Sequence, residues 1–303
     1  MKSEGVSSVS LPESTLERLR VEVSKYATSS PLPPSPSIPS APLPAQASAL
    51  APAPPAPAQP APPPISSVPL KKPAPVRNVP SAQASGDLVP PVFELPQGSK
   101  QERMDWLREK VLNCPTCLAN LNPGRNLVFG EGNLDAHILF CGEAPGEEEE
   151  KQAEPFVGPA GQKLNGMIKG MGLSREEVYI GNILKWRPRT ETGFGNRAPT
   201  PQEMDFCLPY LHAQVEIIRP KVIIALGNTA IRGMLGHDES LKVGGIHGNW
   251  YEFRGIPLMP TFHPSYILHN ETKRTKRMVW EDLLNVMERL GLPISEKQRN
   301  FFA

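Results

Sequence analysis

The sequence lacks any long hydrophobic run. No stretch reaches the roughly 18 consecutive apolar residues that a membrane-spanning helix requires. The N-terminus also lacks the order of basic, apolar and small residues that is typical of a secretory signal. We therefore expect a cytoplasmic protein that does not bind membranes.

Cysteine and net charge are also scarce. The 303 residues include only four cysteines, which argues against a disulfide framework and turns attention to metal or cluster ligation at Cys114-Pro-Thr-Cys117. The formal net charge is +1. Bulk charge therefore indicates neither a strongly basic nucleic-acid coat protein nor an acidic tail protein.

Proline, in contrast, is abundant, and its 37 residues are concentrated in the first third of the chain. From about residue 28 to residue 96 the sequence is largely Pro, Ala and Ser, as in APAPPAPAQPAPPP, with almost no aromatic residue to nucleate a core. We predict that residues 1–100 form a disordered, extended arm. Residues 12–26 have helical apolar spacing, which allows a short amphipathic helix for a protein partner or a transient helix without one.

The remaining residues, 101–303, are enough for one full core. After a predicted helix at QERMDWLREKVLNC, four apolar runs alternate with helical patterns: AHILFCG, EVYIGNIL, KVIIALG and PLMPTFHP. Continuous hydrophobicity is typical of strands buried on both faces, and helical spacers imply parallel crossovers. The expected fold is an α/β protein, a three-layer α/β/α sandwich around a central parallel four-stranded sheet.

In open parallel sheets, functional sites gather beyond the carboxyl ends of the strands. This rule selects four loops, which we expect to converge on one crevice: residues 142–146, 182–187, 227–228 and 262–265.

The first loop, GEAPGEEEE, combines two glycines with five carboxylates. A phosphate-binding loop is excluded because the carboxylates would repel phosphate. A magnesium site, a solvated surface loop and a pocket in which one carboxylate does chemistry remain open. Gly142 permits close ligand approach, while residues 148–150 are expected to favour the start of a helix through its dipole.

The other loops carry one planar and two polar side chains. Phe156, on a short loop in EPFVGPAGQKL, can stack on a planar base or plug the core. Asn182, in GNILKWRPR, can both donate and accept hydrogen bonds, so it can bind the polar edge of a pyrimidine. His263, in TFHPS, follows a strand and is held there by Pro264.

Four segments together resemble the family-four uracil-DNA glycosylases of the uracil-DNA glycosylase superfamily: VFGEGNLDAHILFCGEAPGEEEE, PFVGPAGQKL, VYIGNILKWRP with NRAPTPQE, and MPTFHPSYIL. The resemblance covers about residues 110–290. It implies a hydrolase of base excision repair that cleaves the N-glycosidic bond of uracil in DNA and leaves an abasic site. It further implies that Phe156 stacks on the flipped uracil, that Asn182 binds its N3 and O4 edge, and that His263 stabilises negative charge at O2.

The resemblance also assigns roles near the sugar. Glu143 matches the acidic position that would orient the attacking water or support positive charge on the deoxyribose, and Glu147 is the reserve candidate. Gly142 and Ser265 are expected to contribute to the substrate site. Cleavage produces an oxocarbenium-like sugar and an anionic base, so a carboxylate and a hydrogen-bond donor stabilise opposite ends of one charge separation.

Beyond His263, the segment SYILHNETKRTKR predicts an exposed apolar tip at residues 266–268 followed by cations. Apolar side chains can wedge into the vacated base stack while cations hold phosphates. A solvated basic helix end is the alternative. The residues predicted to bind DNA are Tyr266, Lys273, Arg274 and Arg277.

Family-four enzymes hold a [4Fe-4S] cluster with four cysteines. Cys114 and Cys117 match the first pair and Cys207 the last, but Trp186 stands at the third position, and an indole nitrogen cannot ligate iron. Three interpretations stay open: no cluster with Trp186 packed in its place, a cluster with an unusual ligand, and a three-cysteine zinc site. No cofactor is expected to be required for the chemistry.

The protein is expected to be a monomer. Two other functions compete with uracil excision. One is a catalytically inactive DNA-binding module, recruited through its arm to a repair partner. The other is a glycosylase for a different deaminated base. The joint presence of Glu143, Asn182 and His263 argues against the first, because binding alone does not need them together.

Overall fold

The structure is a computed structural model that describes residues 88–190, 192 and 195–303. These residues belong to one structural unit, Pro60–Ala303. The predicted helix over residues 12–26, and all of the predicted arm before residue 88, lie outside the described residues.

Within the described residues the chain forms one mixed sheet of six strands in the order β1-β3-β2-β4-β6-β5. The strands are β1 Glu131–Gly132, β2 Ile138–Gly142, β3 Tyr179–Asn182, β4 Val222–Leu226, β5 Tyr251–Phe253 and β6 Ile256–Thr261. The central strands β3, β2, β4 and β6 are parallel, which confirms the four strands predicted from the apolar runs. The antiparallel edge strands β1 and β5 are not predicted, because two or three residues are too few to show a period.

Ten α-helices lie before, between or after these strands in the described part of the chain. They are α1 Lys100–Leu112, α2 Pro115–Ala119, α3 Glu147–Gln152, α4 Pro159–Gly170, α5 Pro201–Ile218, α6 Gly227–Leu235, α7 Val243–Ile246, α8 Pro264–His269, α9 Lys273–Leu290 and α10 Glu296–Arg299. Every residue of β2 and β4 is buried. Because successive side chains of a strand point to opposite faces, both faces of the sheet are covered, as a three-layer α/β/α sandwich requires.

Helix α1 begins at a capping box in which Ser99 and Glu102 satisfy each other's main-chain N–H groups. It ends at Leu112, and Cys114 then caps α2, whose first residue is Pro115. Helix α1 packs against α5, which begins with its own capping box at Thr200. This packing brings the two cysteines at the start of α2 near α5, where Cys207 lies.

The segment that precedes α1 also packs against the domain. The Phe93 ring stacks on Tyr210 of α5, with centroids 5.6 Å apart, and lies 5.8 Å from the Trp106 ring of α1. The Lys110 ammonium lies 5.5 Å above the Phe93 ring, a distance at which cation–π attraction operates. The boundary at residue 101 stays a prediction, but the packed chain extends back at least to Phe93.

None of the helices in the described ranges combines the length and the apolar character needed to cross a membrane.

Candidate active site

Gly142 lies where the ends of β2 and β3 meet the loop that carries Phe156. Gly142 pairs with Asn182 in the neighbouring strand. A Cβ atom at Gly142 would lie 2.4 Å from Asn182 Oδ1 and 2.5 Å from Phe156 Cζ. Glycine is therefore required here for steric reasons, and the predicted stacking ring and the predicted amide share one location.

His263 reaches the same location from the end of β6. Its ring centroid lies 5.7 Å from that of Phe156. Gly227, after β4, has φ +85°, and a Cβ atom there would lie 2.8 Å from His263 Cβ. The loops that follow β2, β3, β4 and β6 thus converge, as expected for the carboxyl edge of a parallel sheet.

The Asn182 amide has an unsatisfied acceptor. The residue is 2% exposed, and its Oδ1 atom has no hydrogen-bond partner among the described residues. A buried polar atom left in this way costs about 1–3 kcal/mol. A ligand that supplies the missing donor removes this cost. Asn182 Oδ1 therefore marks a position for a ligand N–H or O–H group.

His263 is fixed by Ser265, which lies two residues later. The Nδ1 atom of His263 accepts a hydrogen bond from Ser265 N at 3.2 Å and lies 2.7 Å from Ser265 Oγ. Burial lowers the pKa of His263 to about 4, so the ring is neutral near pH 7. Because Nδ1 accepts, the proton of the neutral ring lies on Nε2, which is left as a donor.

Glu143 is half-buried at the lip of the sheet. Burial raises the pKa of its carboxyl group, while a hydrogen bond with Thr229 of α6 lowers it less. The main-chain oxygen of Glu143 accepts a hydrogen bond from Leu184 N at 3.1 Å, which ties this turn to the end of β3.

Glu147, the reserve candidate, has a different environment. It is exposed at the start of α3, and its carboxylate pairs with Lys151 Nζ at 2.9 Å. This pairing lowers the pKa of Glu147. No hydrogen bond or ion pair within the described residues joins Glu147 to Phe156, Asn182 or His263.

The last two carboxylates of the acidic run have a role that the sequence does not predict. Residues 147–152 do form a helix, but Glu149 and Glu150 are buried. Glu149 Oε1 accepts hydrogen bonds from Val157 N at 3.0 Å and Gly158 N at 2.9 Å, and its Oε2 accepts one from Gly146 N at 3.1 Å. The expectation that these residues only favour a helix start is therefore incomplete for Glu149, which joins two loops of the site.

Glu150 has the lowest exposure of the run, at 1%. It pairs with Arg187 Nη1 at 2.9 Å and accepts from Asn122 Nδ2 at 2.8 Å. A buried charge is tolerated when it is paired and hydrogen-bonded in this way. Glu150 thus fixes α3 to the segment that follows β3.

The loop that carries Phe156 adopts a strained conformation. Phe156 has φ 54°, a left-handed value that is uncommon for a bulky residue. A Cβ atom at Gly161 would collide with the Phe156 carbonyl oxygen, at 1.8 Å. Arg175 donates to that oxygen at 3.3 Å and pairs with Glu131 at 2.7 Å. These contacts hold the loop in place, and the sequence indicates only the glycine at position 161 that such a close approach needs.

The predicted DNA-inserting tip is smaller than expected. Tyr266 is 45% exposed and stacks on Phe262, with centroids 5.3 Å apart. Ile267 is buried, because α8 turns it towards the core. The exposed apolar tip therefore consists of Tyr266 rather than of the whole segment 266–268.

The predicted phosphate-binding cations fall into two groups. Lys273 and Arg274 are exposed in the first turn of α9, and within the described residues neither forms an ion pair. Arg277, by contrast, pairs with Glu281 at 2.7 Å and donates to the carbonyl oxygens of Arg299 and Phe301 at 2.8 and 2.9 Å. The guanidinium of Arg277 is thus engaged within the chain.

The three predicted cluster cysteines, Cys114, Cys117 and Cys207, are buried together. The pKa of the Cys117 thiol is raised, first by its interaction with the Cys207 thiol and then by burial. Nevertheless, the described part of the chain contains no group of three or more His, Cys, Asp or Glu side chains arranged to hold a metal ion. Trp186 is 1% exposed and packs against Phe206, with centroids 5.9 Å apart.

Lys185 supports the turn that presents Asn182 and is not predicted from the sequence. Its fully buried ammonium donates to the Asn182 main-chain oxygen at 2.9 Å and to Gln214 Oε1 at 2.8 Å. Burial lowers the pKa of Lys185 to about 8. The buried Lys185 ammonium thus holds the main chain of the turn that presents Asn182.

This fold and the residues at its carboxyl edge agree with a known family. The family model of the uracil DNA glycosylase superfamily matches residues 129–284, about half of the chain. The chain therefore belongs to the uracil-DNA glycosylase superfamily.

Within that class, the chain is similar to Type-4 uracil-DNA glycosylases. It is 43% identical to the one from Thermotoga maritima over 186 residues, which are 61% of this chain and 93% of that protein. It is 38% identical to the one from Sulfurisphaera tokodaii over 195 residues, or 62% of this chain and 84% of that protein. With the one from Archaeoglobus fulgidus it shares 35% identity over 208 residues, or 66% and 98% of the two chains.

Proposed function

We propose that this protein is a uracil-DNA glycosylase, which hydrolyses the N-glycosidic bond of uracil in DNA, leaves an abasic site and so begins base excision repair. Membership of the superfamily and the Type-4 relatives support this function. The observation that carries the proposal is the buried, unpartnered Oδ1 atom of Asn182 beside Phe156. Uracil supplies the missing donor from its N3–H group and accepts from the amide at O4, whereas cytosine has no hydrogen at N3.

The base must leave the duplex to reach this site. Unstacking and unpairing cost a few kcal/mol, and stacking on an aromatic ring returns about 1–3 kcal/mol per base. Phe156 provides that ring, and the absence of a side chain at Gly142 allows the ring and the Asn182 amide to lie together. Tyr266 is proposed to fill the vacated stack, while Lys273 and Arg274 hold phosphates.

Two groups are proposed to stabilise the separating charges. The neutral His263 donates from Nε2 to O2 of the departing base, where negative charge develops. Glu143 lies on the sugar side, where its carboxylate supports positive charge on the deoxyribose and orients the attacking water. We assign this role to Glu143 rather than Glu147 because the carboxylate of Glu147 is exposed and paired with Lys151.

We further propose that the protein functions without a [4Fe-4S] cluster. A conventional cluster needs four thiolates, but Trp186 replaces one of them and is buried against Phe206. The remaining cysteines, Cys114, Cys117 and Cys207, are all buried. Three thiols fall short of the four that a conventional cluster needs. Within the described residues no group of three or more His, Cys, Asp or Glu side chains is arranged to hold a metal ion, which also argues against the zinc alternative.

Iron and sulfide analysis of anaerobically purified full-length protein tests this part of the proposal. We expect neither element in stoichiometric amount and no thiolate-to-iron charge-transfer absorbance. The matched variant Trp186→Cys supplies the fourth thiol and shows whether Trp186 alone prevents loading. Stoichiometric iron in the unaltered protein would overturn the cluster-free proposal and leave the glycosylase proposal intact.

The glycosylase activity is tested with a labelled oligonucleotide that contains one uracil, followed by alkaline cleavage at abasic sites. We expect cleavage by the full-length protein, and we expect His263→Ala to lower the excision rate about 10²- to 10⁴-fold with little change in affinity for an uncleavable analogue. An inactive binding module predicts no abasic site. A glycosylase for another deaminated base predicts cleavage at that lesion alone.

A monomeric state, a cytoplasmic location and a protein partner for the N-terminal arm complete the proposal. Size-exclusion chromatography with light scattering checks the first of these properties.

A further inference from the structure

Asp282 is a fully buried carboxylate on α9, behind the strand that leads to His263. Its Oδ2 atom accepts a hydrogen bond from Thr261 Oγ1 at 2.6 Å. Its Oδ1 atom lies 3.2 Å from His247 Nδ1.

These contacts fix the two residues that precede His263. Thr261 is the last residue of β6 and pairs with Leu226 of β4, so Asp282 holds it directly. Phe262 is held through His247, since the two ring centroids are 5.3 Å apart. Asp282 therefore holds both residues that lead to His263, Thr261 directly and Phe262 through His247.

The same anchoring extends to the tip that is proposed to enter DNA. The Tyr266 ring stacks on Phe262 with an interplanar angle of 23°. The contacts run from Asp282 to His247, from His247 to Phe262, and from Phe262 to the exposed Tyr266. Asp282 thus supports both His263, the proposed donor to the departing base, and Tyr266, which is proposed to fill the vacated stack.

A buried carboxylate is a costly way to connect these segments. Burial raises the pKa of Asp282 because the charged carboxylate is costly at this position, while the hydrogen bond with Asp282 raises the pKa of His247. Replacing a buried ion pair by apolar residues of similar volume is often neutral or stabilising. Stability alone therefore does not account for the pair, whereas fixed geometry at His263 does.

We propose that Asp282, Thr261 and His247 are positioning residues that set the location of the His263 imidazole for base excision and brace Tyr266. The inference rests on the proposed function, because it assumes that His263 acts on the departing base. Displacement of a reacting group by about 1 Å can cost about 10²-fold in rate. The Thr261 hydroxyl is the most direct point at which to test this, because valine has nearly the same shape without the hydrogen bond.

The experiment compares Thr261→Val, Thr261→Ser and Thr200→Val in the full-length protein. Single-turnover excision of uracil, affinity for an uncleavable analogue and thermal unfolding are measured for each. We expect Thr261→Val to excise about 10- to 100-fold more slowly with affinity within about threefold, and Thr261→Ser to recover most of the rate. Thr200→Val removes a capping hydroxyl on α5, so it is expected to lower the melting temperature and leave the excision rate unchanged.

A second variant covers the case in which Thr261→Val does not fold. His247→Phe keeps a ring against Phe262 at a half-buried position but removes the hydrogen bond to Asp282, and a slower excision rate is again expected. An active unaltered protein whose rate is unchanged by these substitutions, or is lowered equally by Thr200→Val, would overturn the positioning role alone. An unaltered protein that leaves uracil in place would overturn the proposed function, and this inference with it.

Discussion

The ring of Phe156 lies 5.7 Å from the imidazole of His263, and the two planes are inclined by 36°. A base sandwiched between them would need two stacking contacts of about 3.5 Å each, or about 7 Å in total. The observed distance is too short for that arrangement. A base stacked on Phe156 therefore presents an edge, not a face, to His263, which agrees with the proposed hydrogen bond at O2.

The base preference is expected to depend on the Asn182 amide. Asn182→Asp replaces the N–H donor with a second acceptor, which can accept from the amino group of cytosine. We expect detectable cytosine excision and roughly a tenfold slower uracil excision, since one hydrogen bond contributes about 0.5–1.5 kcal/mol. Asn165→Asp makes the same chemical change beside Arg175 and is the control. Unchanged rejection of cytosine by Asn182→Asp would remove Asn182 as the base reader.

The pH dependence of excision is expected to report on Glu143. Burial raises the pKa of this carboxyl group above its ordinary value of 4.5, so the ionised form is lost as the pH falls through that raised value. His263, whose pKa is about 4, stays neutral over most of this range. Single-turnover rates should therefore decline on the acid side of neutrality.

The variant Glu143→Gln separates this cause from others. It cannot ionise, so we expect a rate lower by about 10²- to 10⁴-fold and no acid decline due to this position. Glu147→Gln, at the exposed reserve candidate, should retain the decline. The assignment fails if the acid decline survives in Glu143→Gln and disappears in Glu147→Gln.

DNA affinity should distinguish the cations of α9. Arg274 is exposed without an ion pair in the described chain, so Arg274→Ala should reduce the slope of log affinity against log salt by about one. The Arg277 guanidinium is bound to Glu281 and to two carbonyl oxygens, so Arg277→Ala should leave the slope unchanged and lower the melting temperature instead. A reduced slope in Arg277→Ala would show that its internal contacts open on DNA.

The segment before α1 is expected to contribute to stability. Phe93→Ala removes the ring that packs on Tyr210 and Trp106, which we expect to lower the free energy of unfolding by about 1–3 kcal/mol. Val92 is 97% exposed, so Val92→Ala is a neighbouring control without that packing. Denaturant unfolding of the full-length protein measures both. Equal free energies for Phe93→Ala and Val92→Ala would mean that the packing is incidental.

The parallel strands are predictable from the sequence because their residues are buried on both faces. The runs around Ile138 and Val222 carry no polar alternation, so they indicate central strands and, with the helical spacers, the carboxyl edge where the site lies. The stacking ring and the imidazole are predicted because they directly follow such runs or belong to the segments that resemble the family.

The supporting contacts are not predictable in the same way. Glu149 and Asp282 satisfy groups on loops that are distant along the chain, and no local periodicity records those hydrogen bonds. Glu149 is also part of an acidic run whose exposed members obscure the buried ones. The unsatisfied acceptor on Asn182 is likewise a property of three-dimensional packing, since the sequence shows an amide but not which of its atoms lacks a partner.

Glu149 accepts hydrogen bonds from main-chain N–H groups in two segments, Val157 and Gly158 directly after Phe156 and Gly146 in the turn after Glu143. Because one carboxylate holds both segments, they cannot separate independently. The entropy of ordering them is lost once, as the chain folds, and not again at every encounter with DNA. An extruded nucleotide would then meet two segments that are already tied to each other.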